Sequence, residues 1–595
     1  MTRGRLLALL LAAWLCAPWL LPPFYLSLLQ TVGLSALVAL GLVLLTGIAG
    51  LTSFGQAAFV GVGAYTAALL GARADALPGW LGWLGGSPWL ALLAGLALTC
   101  MLAGVLGAIT LRLSGHFLPL GTIAWGLSLY FAFGAMKALG GYSGIGDIPP
   151  IRIAGAALGP RGMYYLIWLL LLLALWNTRN LLDSRQGRAM RALRGGRLMA
   201  EAMGVNTTGL RMTLFVLAAL QASTSGWLYA HWQRFVNPTP FGLQMGIEYL
   251  FMTVIGGAGH IWGALVGAGV FTVVKQWLQD FLPRLLGQNG NFEIIVFGFG
   301  MVLLLHRARG GIWPAIARHA PAPAPRRINM SAEPLPRRPL PPRGDVVLEA
   351  CGLTRRFRGL VANRDIALSV EAGQIVAVIG PNGAGKSTLF NLLSGVDTPT
   401  SGSVLFLGEP IAGKGARHIA ALGMSRTFQH VRLLSAMSVL DNVALGAHLR
   451  GTHGVWASAW RADRREEARL LAEAARELER VGLGAVMHEP AGTLPLGRQR
   501  IVEVARALAS DPCLLLLDEP AAGLRHHEKR ELATLLRKLR AGGMAILLVE
   551  HDMELVMDVA DRVIVMDFGE KIAEGAPAEI QQHPAVLEAY LGMAD

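Results

Sequence analysis

Only seven of the chain's 39 acidic residues lie in its first 306 positions: Asp75, Asp147, Asp183, Glu201, Glu248, Asp280 and Glu293. The other 32 follow. A 306-residue stretch with so few carboxylates and so many long apolar runs cannot fold as a water-soluble domain. It is built for a bilayer, and the rest of the chain is built for water. Apolar stretches of spanning length run over 6–22, 28–48, 52–72, 89–111, 117–136, 162–178, 209–230 and 292–306. The apolar region 246–281 is interrupted by Gly256-Gly257-Ala258-Gly259 and reads as one long helix or two short ones. Over all 595 residues the apolar fraction is 53% and the charged fraction 15%, against about 25% charged in ordinary soluble domains. Disorder and full solubility are both excluded.

The net charge of +13 does not point to nucleic acid, because much of it sits in the acid-poor half, where Lys and Arg mark cytoplasmic loops. Arg3 and Arg5 precede the first Leu-rich run. With further spans directly after it, Met1–Pro18 reads as part of a retained span, not a cleaved signal. Segment 179–197 carries six arginines and one acid, Asp183. Placing it and the N-terminus on the cytoplasmic side requires an even number of spans between them, and six are available. Arg307 and Arg309 close the last span on the same side, which favours two helices in 246–281 and ten spans in all. Cys16, Cys100, Cys351 and Cys513 show no CxxC spacing, so neither a disulfide framework nor a zinc site is implied.

Three segments follow: a membrane domain over 1–306, a linker over 307–345, and an α/β domain over 346–595. Nine prolines between Pro314 and Pro342 predict a semi-extended linker that buries no core. In the last segment, Gly380-Pro381-Asn382-Gly383-Ala384-Gly385-Lys386-Ser387-Thr388 fits G-x-x-x-x-G-K-[ST]. It follows the apolar strand Gln374–Ile379 and opens a helix, Lys386–Leu393, which is the context this phosphate-binding loop needs. Its glycines let backbone N–H groups surround phosphate oxygens, Lys386 adds a point charge on the β- and γ-phosphates, and Ser387 is a Mg²⁺ ligand. A second strand, Cys513–Leu517, ends in Asp518-Glu519. Asp518 is placed to hold Mg²⁺ through water and Glu519 to polarise an attacking water. A third, Met544–Val549, ends in Glu550-His551-Asp552, which puts His551 at the same sheet edge, in reach of a γ-phosphate. Lys386, Glu519 and His551 are the candidate catalytic groups.

On these motifs, residues 346–595 resemble the ATP-binding cassette (ABC) ATPases. The resemblance implies a Q-loop role for Gln429, in Arg426-Thr427-Phe428-Gln429, contacting Mg²⁺ and sensing the membrane partner. It implies adenine stacking by Phe357, which otherwise is an ordinary strand aromatic. It places the family's signature at Leu494-Pro495-Leu496-Gly497-Arg498-Gln499, with Leu494, Gly497 and Gln499 as its recognisable members. Two positions depart from the family pattern. Pro495 stands where a serine hydroxyl is usual, and Arg525 stands where Asp or Asn is usual. The polar run Arg461–Arg480 reads as a solvated helix without chemistry.

Two features of the membrane half point to transport. Helices are broken at Gly47–Gly63 and Val254–Gly267, where Ser53 and Gln56 are candidate wall groups of a substrate path; close packing of small residues reads equally well. The cytoplasmic stretch Ser184–Gly204, with Arg188 and the Glu201-Ala202-x-Gly204 core, resembles the coupling loop of ABC importer permeases. Together with Gly41–Leu70, Phe235–Ala268 and the ending Ala585–Gly592, the whole chain resembles the high-affinity branched-chain amino-acid importers, permease and ATPase fused. The fold class is thus a polytopic α-helical membrane domain followed by an α/β P-loop ABC ATPase. The resemblance implies ATP and Mg²⁺ as cofactors, a bacterial inner membrane with the ATPase in the cytoplasm, a periplasmic binding protein, and a second permease and second ATPase, or a second copy of this chain. Import of urea or short amides, or a membrane-tethered regulatory ATPase, remain as alternatives.

Overall fold

The structure is a computed structural model that describes residues 3–73, 85–113, 115, 117–286, 293–307, 310–319 and 326–591. Asp75, Arg309, the linker positions 320–325 and the end of the Ala585–Gly592 match lie outside the described residues. The chain forms two compact units. One comprises Met1–Asn180 and Thr208–Pro323; the other comprises Leu181–Thr207 and Ala324–Asp595.

The first unit is helical. Among the described residues, five helices are long and apolar enough to cross a membrane: Pro23–Ile48, Pro88–Thr110, Phe117–Ala135, Pro160–Leu182 and Ile261–Leu285. Prolines open several of them, where a missing N–H costs nothing. Pro23–Ile48 has 83% of its most apolar window buried, against 22% for Pro88–Thr110, so the former is central and the latter peripheral. Its last turn, Val43–Ile48, is π-helical, and the next helix begins only at Gln56. The apolar region 246–281 is two helices, Leu243–Gly256 and Ile261–Leu286. The two interruptions abut: a Cβ on Gly47 would lie 1.5 Å from the Ala258 carbonyl oxygen, so only glycine fits there. Buried hydroxyls join helices elsewhere, as in Thr99 Oγ1 donating to Ser223 Oγ at 2.9 Å.

In the second unit we number the strands β1 Val346–Phe357, β2 Leu360–Glu371, β3 Ile375–Ile379, β4 Ser401–Phe406, β5 Glu409–Pro410, β6 Met424–Arg426, β7 Leu514–Asp518, β8 Ala545–Val549, β9 Arg562–Asp567 and β10 Glu570–Gly575. Strands β2-β1-β4-β5 form an antiparallel sheet, and β10-β9-β3-β8-β7-β6 form a second. Within the second, all pairs are parallel except β9–β10. Every residue of β3, β7 and β8 is buried, as parallel strands covered on both faces require. Their C-terminal ends share one edge, which is where α/β sheets bind ligands.

Two expectations change. The polar run is helical over Arg464–Arg480, but it is not solvated on all sides. Leu470, Leu471, Ala474 and Leu478 repeat at helical spacing and enter a core with Val443 and Val502, which carries Glu467, Glu473 and Glu477 into burial beside them. The Pro-rich linker is helical over Ile312–Ala317 and without regular structure from 326 to its end, and it does contribute to a core: Leu335, 4% exposed, sits in that same cluster. Backbone carbonyls that a proline-rich strand leaves without internal partners accept from cassette arginines, Arg476 at Ala332 and Arg450 at Pro336.

Candidate functional site

A cavity of about 400 Å³ opens at the shared strand edge. Residues 382–388 of the P-loop form one wall, with Gln429, Glu519 and His551 facing it and Leu360, Val361 and Phe568 at the rim. Gly380 has φ 152° and Gly385 φ 93°. A Cβ on Gly385 would stand 2.4 Å from the Ala362 carbonyl oxygen, so the loop's tight course needs glycine there. Lys386, 6% exposed, donates to the carbonyl oxygens of Gly380 and Pro381 at 2.6 and 2.8 Å. Burial pulls its ammonium below the ordinary range, against the opposing pull of Glu519 and Asp518.

Glu519 is the hub. Its Oε1 meets Gln429 Nε2 at 3.1 Å and His551 Nε2 at 3.0 Å, so three residues separated by some 120 positions converge on one oxygen. Its backbone is left-handed, φ 47°, a conformation a non-glycine residue adopts only under constraint. The constraint is visible. Glu519 N–H donates to Val549 at 2.9 Å, and the turn after it is held by Glu550, whose carboxylate accepts from Ala521 N–H at 2.6 Å and from His551 N–H at 3.0 Å. Burial pushes the Glu550 carboxyl up. Asp518 is buried, and burial pushes its carboxyl up, offset in part by Arg426. Its Oδ2 faces Arg426 at 3.4 Å. Its Oδ1 is buried with no hydrogen-bond partner among the described residues. An orphaned buried carboxylate oxygen at the end of β7 fits a hard, oxygen-seeking cation.

Arg426, Glu550 and Arg500, which donates to the Gln429 carbonyl at 2.9 Å, were not among the residues singled out by motif. Glu550 stood next to His551, and Arg426 three positions before Gln429; only the fold shows what they hold. Phe357 closes β1 opposite Leu360. Its ring lies under the Arg355 guanidinium at 4.5 Å, and it is not among the residues lining the cavity. The signature stands apart from the cavity. Pro495 precedes the helix Leu496–Leu508, Gln499 Nε2 donates to the Leu494 carbonyl at 2.7 Å, and a Cβ on Gly497 would meet the Glu528 carboxylate at 2.7 Å.

The loop Ser184–Gly204 packs on the cassette within the second unit. Ser184 caps the helix Arg185–Ala192. Arg188, 1% exposed, forks onto both oxygens of Glu467 at 2.6 and 2.9 Å. Burial works against its charge, and Glu467 outweighs it, leaving the guanidinium above its ordinary range. Arg185 donates to the His448 and His453 carbonyls at 2.6 and 2.5 Å. Gly204, φ 81°, accepts from Arg417 Nε at 3.2 Å, and Ala202 is buried. Glu201 bonds within the loop instead, accepting from Arg197 at 2.7 Å and Thr207 at 2.6 Å. In the membrane unit, Ser53 and Gln56 are buried together, with Gln56 Nε2 3.5 Å from Ser53 Oγ. A neighbouring cavity lined by Phe54, Thr122 and Phe241 measures about 10 Å³, room for one water and no solute.

Comparison with known proteins agrees with this layout. Residues 24–305 match the family described as branched-chain amino acid transport system / permease component, 363–522 match the ABC transporter family, and 570–592 match the branched-chain amino acid ATP-binding cassette transporter family. The high-affinity branched-chain amino acid transport ATP-binding protein BraF of Pseudomonas aeruginosa is 43% identical over 251 residues, 42% of this chain and 98% of that protein. Its counterpart LivG of Escherichia coli is 41% identical over the same lengths. A probable LivG of Archaeoglobus fulgidus is 36% identical over 252 residues, 42% of this chain and 96% of that protein. The cassette hydrolyses ATP, and the chain belongs to the ABC transporters of the branched-chain amino acid type, with permease and ATPase joined in one polypeptide.

Proposed function

We propose that this chain is one half of an importer of branched-chain or other hydrophobic amino acids in a bacterial inner membrane, its cassette facing the cytoplasm. The observation that carries the reading is Arg188. It lies in a loop flanked by the apolar helix Pro160–Leu182 and the helix Thr207–Gln233, yet its charge is buried in a fork with Glu467 of the cassette. A tether needs no such joint; a machine that moves its permease with ATP does. One chain supplies one permease and one cassette, so a second permease and a second ATPase, unlike subunits or another copy, complete the transporter, and a periplasmic binding protein delivers the solute.

In this reading ATP occupies the P-loop cavity. Ser387, Gln429 and Asp518 would hold Mg²⁺, whose charge would offset that of the phosphates. Lys386 leaves its two carbonyl partners for the β- and γ-phosphates. Glu519 accepts a hydrogen bond from the attacking water and takes up its proton, while His551 bridges Glu519 and the γ-phosphate. Gln429 links this centre to the helix Leu496–Leu508 through Arg500, and the Arg188–Glu467 fork on the helix Arg464–Arg480 carries the displacement to the permease.

The test is ATP hydrolysis and solute uptake in proteoliposomes, with a panel of binding proteins loaded with amino acids, urea or short amides, and Glu519→Gln as the inactive control. Stimulation by a binding protein loaded with a hydrophobic amino acid supports the reading. Stimulation by one loaded only with urea or an amide replaces the substrate class. Hydrolysis that no binding protein alters, in the complex purified with all its native subunits, overturns import.

A further inference from the structure

The cassette face that receives the loop Ser184–Gly204 continues into a surface that the hydrolytic site does not use. The short helix Val455–Ala459 packs against the helix Arg185–Ala192 of that loop. Trp456 is 64% exposed and Trp460 56% exposed. A soluble face seldom keeps two such aromatics, four positions apart, without something to cover them. Arg464 and Arg465 follow, both exposed, and neither pairs with an acid among the described residues. The acids between and beside them are turned inward. Asp463 accepts from Ser458 Oγ at 2.6 Å, Glu466 accepts from Thr452 N–H at 2.7 Å, and Glu467 is held by Arg188. The charge that this stretch presents outward is therefore positive.

The patch is continuous with the docking site of the loop. Arg185 and Gln186 donate to the His453 carbonyl at 2.5 and 3.0 Å, and Trp456 lies three residues after His453. The apolar helix Pro160–Leu182 ends three residues before Arg185. A step of three residues spans at most about 11 Å, so the covalent chain keeps the indoles near the level at which a spanning helix leaves the bilayer. Indole rings settle at a membrane–water boundary, and arginines beside them attract anionic headgroups. We infer that Trp456, Trp460, Arg464 and Arg465 form a lipid-contacting patch, the indoles in the headgroup layer and the guanidiniums on the phosphates of anionic phospholipids. A second copy of this chain suits the patch less well. Its membrane half holds only seven acids, of which Glu248 is paired with Lys275 and Glu201 with Arg197, whereas an anionic leaflet offers a phosphate to each arginine.

The experiment uses the full chain with its native partner subunits, in nanodiscs of phosphatidylcholine with or without phosphatidylglycerol. A trace lipid with a nitroxide on its headgroup quenches tryptophans at the boundary. Trp456→Phe with Trp460→Phe removes two of the 15 tryptophans and keeps their apolar bulk, so the quenched amplitude should fall. In the native chain phosphatidylglycerol should raise that amplitude. Arg464→Gln with Arg465→Gln should abolish the rise. Unstimulated ATP hydrolysis in detergent should be native in both variants, which shows that the cassette is folded. Equal quenched amplitudes in the native chain and the Phe variant overturn the patch. In that case acrylamide, a quencher dissolved in water, says what replaces the lipid: quenching of the two indoles leaves the face in water, and protection assigns it to a protein subunit. A native amplitude indifferent to phosphatidylglycerol, or a rise that survives in the Gln variant, overturns the assignment to anionic lipid.

Discussion

The guanidinium of Arg188 meets both carboxylate oxygens of Glu467, at 2.6 and 2.9 Å, and Arg326 of the linker donates to one of those same oxygens at 3.0 Å. Glu467 therefore holds one arginine from the permease loop and one from the segment that fuses permease to cassette. Asp441 stands 3.7 Å from both guanidiniums, so two acids balance two arginines.

Removing one partner from a buried ion pair leaves the other uncompensated, typically at a cost of about 3–5 kcal/mol. Here Arg326 keeps Glu467 partly satisfied, so the fold should survive Arg188→Ala while the joint fails. Solute-stimulated hydrolysis and uptake should fall about tenfold or more, with unstimulated hydrolysis nearly unchanged. Arg188→Lys should be intermediate, because an ammonium cannot fork onto two oxygens. Native uptake by Arg188→Ala in proteoliposomes would remove the joint from the coupling path.

The same groove predicts an acid sensitivity. His448 is buried with Arg185, Arg188 and Arg417 around it and Glu466 opposing them. Burial first, then those arginines, push its imidazole down to about 3, whereas an unfolded imidazole titrates at about 6.5. Between these values the unfolded chain binds more protons, so stability falls as pH falls, by up to about 1.4 kcal/mol per pH unit. Thermal unfolding at pH 7 and pH 5 should show His448→Gln losing about 1–2 kcal/mol less than the native chain on acidification. Identical losses would contradict the assignment.

The linker gives a third test. Leu335 is buried among Val439, Leu440 and Leu470, and Arg338 N–H donates to Asp511 at 2.5 Å, so the strap is docked by one apolar anchor and several polar ties. Leu335→Ala should cost about 2 kcal/mol or somewhat more and expose the strap. Trypsin should then cut after Arg337 faster than in the native chain; Arg338 precedes Pro339 and resists cleavage. An unchanged cleavage rate would mean that the anchor holds nothing.

The chemistry was legible where it was written in contiguous residues. Gly380–Thr388, the four leucines before Asp518-Glu519, and Glu550-His551-Asp552 each announce a strand end, and all three strand ends meet at one edge. The break between Gly256 and Ile261 was legible too, since four small residues interrupt an apolar run. What pattern did not convey is which charges are buried. Glu467 belongs to a run so polar that it reads as solvated, and only its leucines, packed on Val443 and Val502, show that one flank is inside. Leu335 is a lone leucine among prolines; it has no period and acquires its place from residues far away in the chain.

The membrane unit offers the last prediction. Lys275 Nζ lies 2.7 and 2.8 Å from the two oxygens of Glu248, joining Ile261–Leu286 to Leu243–Gly256. A lone charge at mid-bilayer costs about 2.5–3.5 kcal/mol on insertion scales, and the partner offsets part of it. Lys275→Met strands Glu248, whereas Glu248→Gln with Lys275→Met strands nothing. The single variant should therefore give less folded, detergent-extractable protein than the double, measured by size-exclusion chromatography. Equal yields would mean that the pair does not stabilise the packing of these helices. Uptake by the double variant then sorts the role of the pair. Recovery of uptake together with yield makes it a strut between two helices, because a strut needs only neutrality and shape. Recovery of yield without uptake places a charge in the path of the solute, because a zwitterionic amino acid needs the charges themselves.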